Sequence, residues 1–455
     1  MKRIFLSLSF AILALISYAG EVSLQTAQTV AAHFISRKGA NPSNLQLSQS
    51  YASSAASGQT ALYIFDLNES KGFVIVSGDD AVIPILAYST ENHFPAQVTN
   101  KEVAYWLKGY TDQISYVIAN QLSPSEEVAA AWNSLLNITT QEENHYAAKP
   151  TGVAPMLNTN WDQMNSSGSN TLLYNNLCPS GTPTGCVATA MAQIMNFWQH
   201  PAMGSGSHSY NTSSQGGTLS ADFNTAYDWE IMPAQLSFNS TTAQKEAVAL
   251  LMFHCGVAVE MDYDYGGSGA YVINYGYPNF PCSQNAMKTY FGYDDDIKGL
   301  KRSSYNQNVW ITKLKTELDE GRPILYTGYG DLGGHAFVFD GYDDDASPTY
   351  FHINWGWSGN SDGYFAISDL APAALGVGGG GGNFNYNQEA LIGIKPAAIT
   401  PKLTINSEMT LSQQSIDPGA AFSLNVNLKN TGTGDLTDGL LTCGVYVGTN
   451  VVGYL

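Results

Sequence analysis

Cys186 lies in T-P-T-G-C-V-A-T-A-M-A-Q-I-M-N-F-W, where a Pro/Gly turn runs straight into an apolar helix. Val187, Met191, Ile194 and Trp198 recur at helical spacing, so one face of that helix is predicted to be buried. A thiol on the first helical turn feels the positive end of the backbone dipole, which lowers its pKa and favours the nucleophilic thiolate. Acyl transfer by a thiol also needs a base, a group that orients the base, and an oxyanion hole. His335, in G-G-H-A-F-V-F-D-G-Y, is the base candidate; Gly333 and Gly334 before it leave room for a substrate backbone. Asn354, in H-I-N-W-G-W, can accept the second imidazole N–H, and Trp355 and Trp357 can shield that bond from water. Gln163 precedes the thiol, and its side-chain amide can serve an oxyanion together with the Cys186 main-chain N–H.

The chain holds eight histidines, so the base has competitors. His200 and His208 fall in a Gly/Ser loop, and His254 in an apolar run. His352 alternates with Asn354 along one predicted strand and shares its face. Spacing favours His335 but does not show contact with the thiol, which the role requires. Five cysteines is an odd number for an exported chain. A bridge between Cys178 and Cys186 would block the nucleophile, so the catalytic reading predicts a free Cys186. Cys255, in A-L-L-M-F-H-C-G-V-A-V, reads as a buried core thiol.

The elements that must position these groups fall into four segments. Residues 1–20 carry two basic residues, an apolar stretch and a small-residue cleavage site, the pattern of a signal peptide. The apolar core is too short for a spanning helix, and no later segment is long and apolar enough, so no membrane span is expected. Residues 21–149 read as a separate α+β unit: a helix around Ala27–Phe34, strands at A-L-Y-I-F-D-L, G-F-V-I-V-S-G and V-I-P-I-L-A-Y, and a helix through Val103, Trp106, Tyr110 and Ile114. A polar linker ends it, a natural site for proteolysis.

Residues 150–398 form the central domain. No Asp, Glu, Lys or Arg occurs from Gln163 to Ala221, so the Cys186 helix is expected to be buried, with no sequence-local cation to activate the thiol. Consecutive strands follow at R-P-I-L-Y-T-G-Y-G, H-A-F-V-F-D-G-Y, T-Y-F-H-I-N-W and G-Y-F-A-I-S-D-L. The domain is thus α+β, helical first and then a mostly antiparallel sheet. A glycine run from Gly376 to Phe384 reads as a flap or loose loop. Residues 399–455 alternate like strands with Gly-rich turns, a partial immunoglobulin-like β-sandwich that stops in mid-pattern.

The net charge of −19 argues against nucleic acid or an anionic membrane as partner, since both need clustered Lys/Arg. The acidic runs Asp294–Asp296 and Asp343–Asp345 lack the spacing of a calcium loop and read as solvated turns. No Cys/His spacing suggests zinc, so no metal and no other cofactor is expected.

Cys, then His, then Asn is the chain order of papain-like cysteine proteases. G-C-V-A-T-A-M-A-Q-I-M, G-G-H-A-F-V-F-D-G, D-Y-G-G-S-G-A and H-I-N-W-G-W-S-G-N-S-D-G-Y-F together resemble the streptopain family of secreted bacterial cysteine endopeptidases, from about Trp161 to Pro396. The segment holding G-F-V-I-V-S-G-D-D-A-V-I-P-I-L-A-Y-S is similar to that family's inhibitory propeptide. The resemblance implies a papain-like fold and a secreted zymogen that removes its own propeptide near Lys149. It implies Cys186 as nucleophile, His335 as base, Gln163 at the oxyanion hole, and Asn354 with the adjacent Trp355 and Trp357 as the orienting group. It further implies that Ser268 and Gly334 contact the substrate backbone, and that a hydrophobic side chain is preferred two residues before the scissile bond. The expected partners are protein or peptide substrates, host proteins among them, and the chain's own propeptide as inhibitor. The runner-up is a non-catalytic adhesin or hemagglutinin-like binding protein on the same scaffold, motivated by the terminal module; transglutaminase-like acyl transfer is a third reading.

Overall fold

The structure, a computed structural model, describes residues 20–67, 71–137, 151–164, 173–330, 333–345, 348–367 and 388–398, with short strands between 403 and 454. Most of the expected signal peptide, the linker around Lys149 and the glycine run lie outside the described residues. No helix among the described residues is long and apolar enough to cross a membrane.

The N-terminal segment opens with α1 (Leu24–Arg37), capped by the Ser23 hydroxyl, which accepts from Thr26 N at 3.1 Å. The meander β1 (Leu45–Ala52), β2 (Thr60–Leu67), β3 (Phe73–Ser77) and β4 (Ile85–Ser89) follows, then α2 (Lys101–Ala119) and α3 (Glu126–Leu136). Asn100 caps α2: its side-chain oxygen accepts from Glu102 N at 2.8 Å and Val103 N at 3.1 Å, so Glu102 sits in the first turn. The central region holds β5 (Gly152–Val153), α4 (Cys186–Trp198), the hairpin β6 (Ser207–Asn211) and β7 (Thr218–Asp222), α5 (Thr242–Ala258), α6 (Ser283–Phe291), β8 (Lys298–Lys301) and α7 (Gln307–Asp319). It ends with β9 (Ile324–Gly330), β10 (Gly333–Asp343), β11 (Tyr350–Asn354), β12 (Gly363–Ala366) and β13 (Gln388–Ile392).

One antiparallel sheet runs through both segments in the order β1-β2-β3-β4-β12-β11-β10-β9-β13-β8, with β5 paired to β10. The seam is short: Tyr88 pairs with Tyr364 and Ala87 with Phe365. Residues up to Pro396 accordingly form one compact unit, so packing does not part at the boundary expected near Lys149. Ala397–Leu455 is a second unit. Its described residues pair antiparallel as β14 (Leu403–Ile405) with β17 (Leu428–Asn430), β15 (Thr410–Leu411) with β16 (Leu424–Asn425), and β18 (Gly444–Val447) with β19 (Asn450–Tyr454).

Strand alternation divides the interior into two cores. Phe337 and Phe339 of β10 join a core built with α1, α2 and the N-terminal strands, whereas Ala336 and Val338 join one built with α4, α5 and α6. The charge-free helix α4 is buried from Cys186 through Met195, as its sequence predicts. Cys255 is fully buried against Met195, and Cys178, Cys186, Cys255 and Cys282 are all free thiols.

The acidic runs are held by neighbouring residues. Asp343 accepts from Lys38 Nζ at 2.5 Å and from the Tyr88 hydroxyl; Asp344 pairs with Lys315; Lys395 lies near Asp294 and Asp296.

Candidate active site

Gly185 caps α4 with φ +86°, and a Cβ there would come within 2.6 Å of Met261 Sδ and 3.0 Å of the Ser268 carbonyl. Only glycine fits this positive φ and this close approach, and the turn delivers the next residue, Cys186, onto the helix N-terminus. The Gln163 carbonyl accepts from Thr184 N at 3.0 Å, which ties the Gln163 segment to that turn. Cys186 Sγ accepts from the main-chain N–H of Ala336 at 3.4 Å. The residue next to His335 therefore touches the thiol.

Alternation on β10 sends the His335 side chain to the face that α2 covers, and there it meets Glu102. The Glu102 carboxylate lies 3.4 Å from His335 Nδ1 and accepts from Gln163 Nε2 at 3.3 Å. All three side chains are buried. The Tyr105 ring, three residues further along α2, packs 5.7 Å from the imidazole. His335 Nε2 and the second Glu102 oxygen are buried without a hydrogen-bond partner among the described residues. Gln163, Cys186 and His335 thus come together around an acid from the N-terminal segment.

Glu102 is the residue that sequence reasoning missed. It stands four positions before Trp106, on the face that also carries Val103. An acid on the apolar face of an amphipathic helix was the available signal.

The electrostatics of the thiol differ from the sequence expectation. Burial pushes the Cys186 thiol up to about 12, and the Glu102 charge adds to that; the N–H groups of Ala336, Val187 and Cys186 pull the other way and lose. The helix N-terminus still favours the thiolate, but burial and the Glu102 charge outweigh it while α2 covers the site.

Asn354 also departs from its expected contact. Its Oδ1 accepts from Gln193 Nε2 at 2.9 Å and Gly356 N at 3.0 Å, and its Nδ2 donates to the Thr159 carbonyl at 2.8 Å. An amide oxygen has two lone pairs, and both are taken, so the imidazole here faces Glu102 instead. Trp355 is buried in the sheet core, with its ring 4.7 Å from Phe337 and 5.9 Å from Trp106, and its Nε1 donates to the Ser361 carbonyl. Trp357 is half-buried. The Ser268 hydroxyl turns inward and donates to the Pro183 carbonyl at 2.7 Å, so it braces the Cys186 turn. Gly334 pairs with Tyr329 at the start of β10. His352, the rival base, donates its Nδ1–H to Asp340 Oδ1, 2.6 Å away, and although burial lowers its pKa, the Asp340 charge outweighs that and leaves it raised.

A free thiol opens a buried helix, and an imidazole strand, an amide segment and an acid from α2 converge on it, an arrangement consistent with a papain-like cysteine peptidase. The Peptidase C10 family profile matches residues 158–365, and the Spi protease inhibitor profile matches residues 19–114. Streptopain of Streptococcus pyogenes is 31% identical over 74% of this chain and 81% of its own length. The thiol protease/hemagglutinin PrtT of Porphyromonas gingivalis is 31% identical over 95% of this chain, which spans 49% of PrtT. Among solved structures, a Prevotella intermedia prointerpain A fragment superposes with a TM-score of 0.56 at 32% identity, over 76% of this chain and 100% of the fragment. The chain belongs to the Peptidase C10 (streptopain) family of cysteine peptidases, with a Spi-like inhibitory prosegment ahead of the peptidase region.

Proposed function

We propose that this chain is a secreted endopeptidase zymogen that removes its own prosegment near Lys149 and then hydrolyses peptide bonds in external proteins, host proteins among them. The single observation that carries the reading is Glu102, which occupies Gln163 and His335 beside Cys186. A carboxylate is a fair stand-in for the charge an oxyanion hole receives, so the prosegment satisfies the site with a group that cannot react.

Once α2 leaves, the N–H groups at the start of α4 act on a thiol relieved of burial and of the Glu102 charge. In the proposed mechanism His335 takes the Cys186 proton and Sγ attacks the scissile carbonyl carbon. The oxyanion is held by Gln163 Nε2–H and the Cys186 N–H. The imidazolium returns its proton to the leaving amine as the C–N bond breaks, which leaves a thioester. Water, deprotonated by the same imidazole, then releases the acid and regenerates the thiol. Ser268 and Gly334 act on the substrate through their main chain, since the Ser268 hydroxyl is engaged internally. A hydrophobic side chain two residues before the scissile bond is the proposed preference.

The test is mass spectrometry of the full chain beside Cys186→Ala, each incubated with reductant and casein. Loss of a segment ending near Lys149, with casein cleavage by the wild type alone, is the expected result. Intact masses and uncut casein in both would overturn it. The hemagglutinin in the PrtT name motivates a binding role for the second unit; binding to host cells unchanged by Cys186→Ala would favour that role.

A further inference from the structure

Gln193 is fully buried on α4, seven positions beyond Cys186. At 3.6 residues per turn it lies two turns along the same helix face. Its Oε1 accepts from the Thr159 hydroxyl at 3.0 Å and from Trp161 N at 3.2 Å. Its Nε2 donates to Asn354 Oδ1 at 2.9 Å, while Asn354 Nδ2 closes the loop onto the Thr159 carbonyl at 2.8 Å. One side chain therefore joins the nucleophile helix, the segment leading into Gln163, and the end of β11. The Gln163 segment is gripped at two points, by Gln193 at Trp161 and by Thr184 at Gln163, and those two anchors flank Cys186 in sequence.

We propose that Gln193 is a positioning residue for catalysis: it sets the distance between Cys186 and the Gln163 amide and fixes which way the Asn354 amide faces. The proposal rests on the peptidase reading above. Gln193 touches neither substrate nor thiol. Its effect is felt in the transition state, where a misplaced donor loses most of its worth. The orientation of Asn354 follows from donor and acceptor counting. With Gln193 and Gly356 both donating to Oδ1, the amide cannot turn without losing two bonds.

The test compares processed wild type with Gln193→Met and Gln193→Glu, each normalised by active-site titration with an irreversible thiol reagent. Gln193→Met keeps the length and removes all three hydrogen bonds. A fall in kcat of about 10- to 100-fold with KM within about threefold is expected, as for loss of alignment rather than of binding. Gln193→Glu still accepts from Thr159 and Trp161 but, ionised, cannot donate to Asn354. Its kcat should recover toward acid pH as the carboxyl regains a proton, which adds a limb to the pH profile that the wild type lacks. A merely structural role would lower the titre of active sites and the Tm while leaving kcat per site and the pH profile unchanged, and that outcome overturns the proposal. If both variants fold poorly, Thr159→Val removes one donor to Oε1 from outside the helix and should lower kcat about 5-fold, the worth of one hydrogen bond; no change per titrated site would equally overturn it. A wild type that titrates with the reagent but cleaves nothing defeats the peptidase reading itself, a result distinct from a variant that matches an active wild type.

Discussion

Replacing Glu102 with alanine should release the latent state without unfolding it. The carboxylate makes two contacts in this structure, at 3.3 Å to Gln163 and 3.4 Å to His335. Hydrogen bonds to charged groups contribute roughly 1.5–3 kcal/mol, and part of the loss is recovered when water reaches the vacated groups. A net weakening of prosegment docking by about 2–3 kcal/mol is the reasonable figure, or about 30- to 150-fold in the population of the open form at 1.4 kcal/mol per tenfold. The rest of α2 stays in place, because Val103, Trp106, Leu107 and Tyr110 remain buried and alanine is a good helix former. The assay is the half-life of the full-length chain in reductant, followed by intact mass, together with the Tm of the same chain carrying Cys186→Ala. Processing faster by that factor with a Tm within a few degrees is expected. Unchanged or slower processing would refute the view that Glu102 holds the site closed.

Three further predictions concern the same region. In the latent chain Cys186 should resist alkylation by iodoacetamide at neutral pH and react only toward about pH 12; because the closed form holds the thiol proton more tightly, raising the pH above the ordinary thiol value of 9.0 should also favour opening, and fast labelling of the latent chain at neutral pH would contradict this. Gly185→Ala should cost about 2–4 kcal/mol through positive-φ strain and overpacking, lower the Tm of the latent chain and reduce the activity of the processed enzyme by at least about 100-fold; a functional Gly185→Ala enzyme would show that the turn does not set the thiol. Burial raises the Asp362 pKa to about 7, so the fold keeps its proton while the unfolded chain loses it, and stability from this group falls as pH rises from about 4 to about 7; Asp362→Asn, which can still accept from Trp355 N, should flatten that part of a Tm-against-pH curve, and parallel curves would count against it.

Much of this site was legible in the residues because the signals are local. The Pro/Gly turn before Cys186 predicted a helix start, the charge-free stretch predicted a buried helix, and strand-like runs predicted β2 to β4 and β9 to β12. The parts that escaped depend on distant partners. Glu102 meets Gln163 and His335 only because β4 adds to β12 and lays α2 over the sheet, and nothing near Glu102 in sequence announces that. The charge-free stretch announced that α4 is buried, but nothing near Cys186 in sequence announces that α2 covers the thiol and sets the Glu102 charge beside it. Asn354 shows the same limit at the level of a single atom: spacing placed the amide near the right strand, but the saturation of Oδ1 by Gln193 and Gly356 is a property of three elements at once.

The short seam between β4 and β12 has one more consequence. Loss of the prosegment would strip a neighbour from the middle of a continuous sheet and leave β12 as a raw border, with the main-chain groups that met Ala87 and Tyr88 turned to solvent beside the Tyr364 ring. The mature enzyme would then be a stickier molecule than its precursor, open to pairing with any extended chain, including another copy of itself. Latency and solubility are in that sense secured by the same strand.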